Sequence, residues 1–163
     1  YRKAVQDLPD RDKLCGSVSG AAELAAWDPA DLFQFRHDTA DWYGRLTDLL
    51  PPEREEDVRR ALHTGACGLY HLCCHNFLHG RSREAVAEAY KSAVFLLQAK
   101  AYLEQGTYCR RREDLAQRLT GRDLEILQTA QALKAGECQE DLPALTDRLL
   151  AWCRDAICRY GPA

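Results

Sequence analysis

The stretch from Glu53 to His79, directly after the Pro51-Pro52 break, constrains the fold of this chain more than any other. Within it Val58, Ala61, Leu62, Gly65, Leu69, Leu72 and Cys73 recur at helical spacing. At about 100° per residue they form one apolar stripe. His63, Cys67, His71, His75 and His79 recur every fourth residue on the same stretch. This second set starts opposite the stripe, drifts about 40° per step, and ends beside it. A helix with an apolar face and a Cys/His face is either the sandwiched centre of a bundle or a metal site.

The flanking sequence reads as helices too. Asp28-Pro29 is a helix start, with Asp as N-cap and Pro in the first turn. From there Leu32, Phe33, Phe35, Trp42, Tyr43, Leu46, Leu49 and Leu50 give an apolar face up to Pro51, with a kink expected in the polar 36–41 stretch. Glu53, Glu55, Glu56 and Asp57 suit the positive end of the second helix, and Gly80 is expected to close it. Ser82 can cap a third helix that carries Val86, Ala89, Tyr90, Ala93, Leu96, Leu97, Ala101 and Leu103 and ends before Gly106. A short helix with Leu115 and Leu119 follows Arg110-Arg111-Arg112. Asp123 is expected to cap the next, which ends at Gly136, and Asp141-Leu142-Pro143 opens the last, with Leu145, Leu149, Trp152, Ala156 and Tyr160 in its stripe. No alternating strand survives. The spacing predicts an all-α fold, an antiparallel up-down helical bundle with short connecting helices over 28–163. Residues 1–27 form a poorly defined N-terminal segment, read as a remnant of a preceding domain.

At 163 residues the chain can bury roughly 70% of its unfolded surface. With 22 basic and 25 acidic residues it has no overall field to draw it to nucleic acid or a membrane. No apolar run reaches the roughly 18 residues of a membrane helix. Tyr1 opens the chain and Met is absent, so a piece of a longer protein or an incompletely recorded one is expected. The eight cysteines sit mostly inside helical patterns, as small buried hydrophobes do, and Cys73 and Cys74 point to different helix faces. Reduced thiols and a cytoplasmic setting are the expectation.

Segment 68–160 also resembles a known domain. The run Asn76-Phe77-Leu78-His79-Gly80-Arg81-Ser82, followed by Ala85 to Gln105, is similar to the loop and long second helix of the HEPN-like α-helical accessory domain of bacterial nucleotidyltransferase-family proteins. Gly106-Thr107-Tyr108 with a basic residue and Leu115 soon after, and the closing helix with Leu149, Trp152 and Ile157, fit the same pattern. The resemblance implies a helical domain beside a preceding catalytic domain, helping to hold a nucleotide or small phosphorylated substrate. The ribonuclease branch of that family carries an Arg and then a His with four to six residues between them, and none of the five histidines here has an Arg at that distance upstream. Gly16-Ser17 with Asp28 and Asp31 echoes the nucleotidyltransferase motif, but the aspartates are three apart rather than two and Pro29 starts a helix. Capping is the reading preferred for them, and no catalytic residue is assigned.

Three candidate sites follow. Cys67, His71 and Cys74 lie within about 60° of each other on the helix, a spacing that can converge on a soft cation such as Zn²⁺, with His75 or Cys109 as a fourth ligand. The opposing reading puts the cysteines in the core and the histidines at the helix edges. Asn76 falls in the apolar stripe. It is expected to bond a neighbouring backbone, to act in the turn with Gly80, or to face a ligand cleft shared with Tyr90 and Lys100. Arg110, Arg111 and Arg112 stand at a predicted helix N-terminus, where guanidinium and free N–H donors suit a phosphate; pairing with Glu113, Asp114 or the 140–141 turn is the alternative. The expected function is thus a binding module for nucleotide or phosphate. Its rivals are a metal-binding helical protein and a homodimerisation module using Trp42, Phe33 and Phe35.

Overall fold

A computed structural model describes residues 2–9 and 18–162. Cys15 and the Gly16-Ser17 pair lie outside the described residues. The regular elements are all helical: α1 (Arg2–Val5), α2 (Ala21–Ala26), α3 (Pro29–Asp38), α4 (Glu55–His75), α5 (Arg83–Gln105), α6 (Arg112–Ala116), α7 (Gly121–Ala135) and α8 (Leu142–Tyr160). The fold is all-α. Among the described residues no helix is long and apolar enough to cross a membrane.

Helix α4 is the centre. It packs against α3, α5 and α8, and α5 in turn meets α7. Val58, Leu62, Ala66, Leu69 and Cys73 of α4 join Val86, Tyr90, Leu97, Ile126, Leu127, Leu145, Leu149 and Trp152 in one core. The sandwiched reading of the opening helix is therefore the right one. Its stripe is narrower than the spacing implies at one point, since Leu72 stays largely in solvent. Gly65 lets α5 come close: a Cβ there would stand 2.5 Å from Leu96 Cδ2.

Side chains fix which helix ends meet. Tyr102, late in α5, donates to Glu53 Oε1 just before α4, while Asn76 at the far end of α4 bonds Ser82 at the start of α5. The two helices therefore run in opposite directions. Lys100 of α5 reaches Asp123 at the start of α7, and Arg83 at the start of α5 donates to the carbonyls of Cys138 and Glu140 beyond its end, each at 2.6 Å. Tyr160 at the end of α8 donates to Glu104 near the end of α5 (2.6 Å).

Helix caps explain most boundaries. Asp28 accepts from Ala30 N–H (2.8 Å), Ser82 from Ala85 N–H (3.1 Å) and Asp141 from Ala144 N–H (2.9 Å), as the sequence leads one to expect. Gly106 and Gly136 end α5 and α7 in the left-handed region. Three expectations need correcting. Helix α3 does not run on to Pro51; it stops at Asp38, where Thr39 turns extended, and a loop with a 3₁₀ turn at Leu46–Asp48 follows. Asp123 is not the cap of α7, because the helix already starts at Gly121 after Thr120, and its carboxylate bonds other helices instead. Gly80 is not the left-handed residue after α4: Arg81 is, at φ 48°. Gly80 is needed for space, since a Cβ there would lie 2.7 Å from Asn76 Oδ1.

A smaller cluster of Leu24, Leu32 and Leu50, with Phe35 and Leu46 against it, joins α2 to α3. Leu24 thus packs across the boundary expected at residues 27 and 28.

Candidate functional site

The predicted site residues do not form one cleft. Tyr90 is fully buried and donates to Leu145 O at 2.9 Å, and burial pushes its phenol well above the ordinary range. It is a core tie between α5 and α8. Asn76 is also buried; its Nδ2–H donates to Ser82 O (2.9 Å) and its Oδ1 accepts Ser82 N–H (3.1 Å). Arg81 N–H donates to Asn76 O at 2.6 Å, so this one residue holds the whole turn between α4 and α5. Of the readings open for Asn76, the turn is the one realised, and no ligand cleft reaches it.

The arginine cluster divides. Arg110 lays its guanidinium on the end of α3, donating to His37 O and, at 3.1 Å, to Thr39 O. Cations suit a helix C-terminus, where carbonyls lack partners and the dipole is negative. Among the described residues Arg111 and Arg112 bond no carboxylate, contrary to the pairing considered for them. They open α6, which is only five residues long and so presents little dipole.

The metal ladder does not close either. Among the described residues no group of three or more His, Cys, Asp or Glu side chains is placed to hold a metal ion. Cys67 contacts His63 Nε2 at 3.8 Å, and His71 is exposed. Cys73 and Cys153 lie in the core, and burial raises their thiols to about 11 and about 12, which leaves them unreactive near neutral pH. The dimerisation set is corrected as well. Phe33 is a core residue at 3% exposure, set edge-on to Tyr108 and tilted on His37 and Tyr102, and Phe35 rests on Trp27. Trp42, with its neighbour Tyr43, is exposed.

Lys100 is different, because the fold brings new partners to it. It lines a cleft of about 180 Å³ between α5, the start of α7 and the last turns of α8, together with Thr120, Arg122, Asp123, Trp152, Asp155, Arg159 and Tyr160. Lys100 Nζ bonds Asp123 Oδ2, and both side chains are about five-sixths covered (15% and 16% exposed). The other oxygen of Asp123 accepts Trp152 Nε1–H at 2.7 Å, so this carboxylate is satisfied on both sides. Arg122 bonds Asp155 at the mouth, and Arg159 Nη2 stands 2.9 Å from Glu104 Oε1, which also takes the Tyr160 hydroxyl. Burial, with the bond to Glu104, holds the Tyr160 phenol above its ordinary range.

Three cations, Lys100, Arg122 and Arg159, are thus paired one to one with three carboxylates, Asp123, Asp155 and Glu104, around the cleft. The two outer pairs are half in solvent, where an ion pair is worth about 0–1 kcal/mol. Arg122 and Arg159 can therefore turn to an incoming anion at small cost. Thr120 makes no side-chain bond to the first turn of α7, so the helix start that lines the cleft lacks a capping oxygen from Thr120. The volume is below the roughly 300–1,000 Å³ that encloses a whole organic ligand. It suits a phosphoryl group with the rest of the ligand outside.

Sequence reasoning missed Arg122, Trp152, Asp155 and Arg159 because the two helices that carry them, α7 and α8, meet Lys100 of α5 only in the fold. A clue was available only for Arg122 and Asp123, a charged pair directly after the Thr120-Gly121 break.

A second polar group sits under α3. His37 Nε2 lies 2.8 Å from Glu53 Oε2, and its ring stacks on Tyr108 at 4.5 Å. The Tyr108 hydroxyl donates to Asp38 Oδ1 (2.8 Å), and Gln98 Nε2–H donates to Cys109 O (2.8 Å). These contacts fasten α3 to the α4–α5 hairpin, and the hollow beside Glu53 is only about 10 Å³.

Comparison with protein-family models, curated proteins and solved structures finds no match to the chain.

Proposed function

We propose that this chain is a helical binding module that holds a nucleotide or other phosphorylated ligand by its phosphate at the Lys100–Arg122–Arg159 cleft. The observation that carries the reading is the gathering of these three cations from three helices around the uncapped start of α7. Lys100 and Trp152 are held in place by Asp123, so the floor of the cleft is ordered before a ligand arrives. Arg122 and Arg159 are long, and both are paired close to solvent, so they can turn to a ligand. No nucleophile or base is assigned; the role is binding.

The reading includes the HEPN-like accessory architecture that segment 68–160 resembles, beside a nucleotidyltransferase-like catalytic domain in a bacterial protein. A cytoplasmic setting belongs to the same reading, and the seven free cysteines among the described residues support it.

Calorimetric titration with ATP and with pyrophosphate tests the proposal on the wild-type chain and on Arg122→Ala, Arg159→Ala and the double variant. All three changes are on the surface and leave the core intact. The expected result is saturable binding that weakens at least tenfold in each single variant and is lost in the double. Wild-type protein that binds neither ligand, or a double variant that binds as tightly as wild type, overturns it. An Arg111→Ala/Arg112→Ala variant should bind normally; loss of binding there would move the site to α6.

A further inference from the structure

The Cys/His ladder that fails as a three-ligand site still carries a pair the proposed function does not use. His71, His75 and His79 all face solvent along the outer edge of α4 and its last, widened turn. Their rings are not equivalent. The centroids of His71 and His75 are 6.3 Å apart, those of His75 and His79 only 5.0 Å, with the latter planes at 56°.

That separation can be compared with what one metal ion requires. With an N–metal bond of about 2.1 Å, a ligating imidazole places its ring centroid about 3.2 Å from the ion. Two such ligands at roughly 100° to one another have centroids about 5 Å apart, whereas a 6.3 Å separation would need them nearly in line across the ion. His75 and His79 therefore match adjacent positions of a tetrahedral or square-planar centre, and His71 with His75 does not.

The backbone that carries the pair is unusual and well held. The helix widens to a π turn at Asn76–Gly80, a distortion that recurs at functional sites. Asn76 locks this turn through both polar atoms of its amide and through its carbonyl, which accepts Arg81 N–H. Two imidazoles on a fixed turn lose little freedom when they chelate.

We infer that His75 and His79 form a two-histidine chelate for a divalent transition ion, with water or an external ligand in the remaining positions. Imidazole nitrogen selects Cu²⁺, Ni²⁺ and Zn²⁺ over Mg²⁺ and Ca²⁺, and the order of affinity puts Cu²⁺ first. The site is separate from the Cys67/His71/Cys74 arrangement, needs no thiol, and is independent of the anion cleft.

Ni²⁺ is the probe of choice for the test, added to full-length protein that carries no affinity tag. Amide and imidazole NMR signals should broaden first around 75–79 and saturate at one equivalent. His75→Gln and His79→Gln should each weaken Ni²⁺ binding at least tenfold, while His71→Gln and the Cys67→Ser/Cys74→Ser double variant should leave it within threefold of wild type. The exposed positions of His75 and His79 keep folding out of the result, which far-UV circular dichroism checks. No saturable Ni²⁺ binding would overturn the inference. So would binding undiminished in the His75→Gln/His79→Gln double variant, or binding lost with the two cysteines.

Discussion

Replacing Asn76 with Ala asks whether one amide organises the α4–α5 turn. Asn76 is 5% exposed and gives and takes one bond each with the Ser82 backbone. The change removes both bonds and strands the Ser82 N–H, which is half-buried, while Ser82 O keeps the Val86 N–H at 3.4 Å. A hydrogen bond contributes about 0.5–1.5 kcal/mol net, and a stranded buried group costs about 1–3 kcal/mol. Ser82 keeps some access to water, so the lower part of each range applies and the expected loss is about 2–3 kcal/mol. At about 2–4 °C per kcal/mol for a chain of this length, the melting temperature falls by roughly 4–12 °C. Urea unfolding followed by circular dichroism measures the first figure and a thermal scan the second. Asn76→Asp keeps an acceptor for Ser82 N–H but turns a buried carboxylate oxygen on Ser82 O, so its loss should be at least as large. Gly80→Ala provides an internal control. Its Cβ would press on Asn76 Oδ1, so most of its cost should vanish in the Asn76→Ala background. A loss below about 0.5 kcal/mol for Asn76→Ala, or strictly additive costs in the double variant, would refute the reasoning.

Other expectations follow from single contacts. Gly68 lies inside α4, and a Cβ added there would meet nothing within 4 Å, so Gly68→Ala should stabilise the chain by about 0.8–1 kcal/mol in urea unfolding. Tyr102 is raised to about 12, first by its bond to Glu53 and then by burial. Because the folded phenol ionises above its ordinary value of about 10, its stabilisation is complete below pH about 10 and disappears as the pH climbs towards 12. Glu53→Gln should therefore lower the Tyr102 transition in an ultraviolet titration and flatten the fall in melting temperature over that window; an unmoved transition would contradict the assignment.

The fold was legible where one physical signal acted alone. The Asp28, Ser82 and Asp141 caps could be read because an N-cap depends on a few consecutive residues. The central position of α4 followed from its stripe. Legibility ended where distant helices met. Nothing local to Lys100 says that its partner is Asp123, or that Trp152 holds the other oxygen. Arg110 looked like a phosphate donor because its sequence neighbours are arginines, whereas the fold sets the end of α3 beneath it. Tyr90 and Asn76 were placed on the correct helices, but a stripe position alone does not distinguish a cleft from a core. The ladder shows the same limit: spacing orders side chains by angle about the axis, and the widened turn at Asn76–Gly80 changes that angle for His79.

The central claim is that an anion binds where α5, α7 and α8 meet. Chemical-shift mapping of ¹⁵N-labelled protein titrated with ATP tests it most directly. Saturating shifts are expected at Gly121, Arg122 and Asp123, at the Trp152 indole N–H and near Arg159, with Arg110 to Arg112 and the Asn76 turn unmoved. Shifts confined to Arg110–Arg112, or no saturating shift at any residue of the cleft, would contradict it.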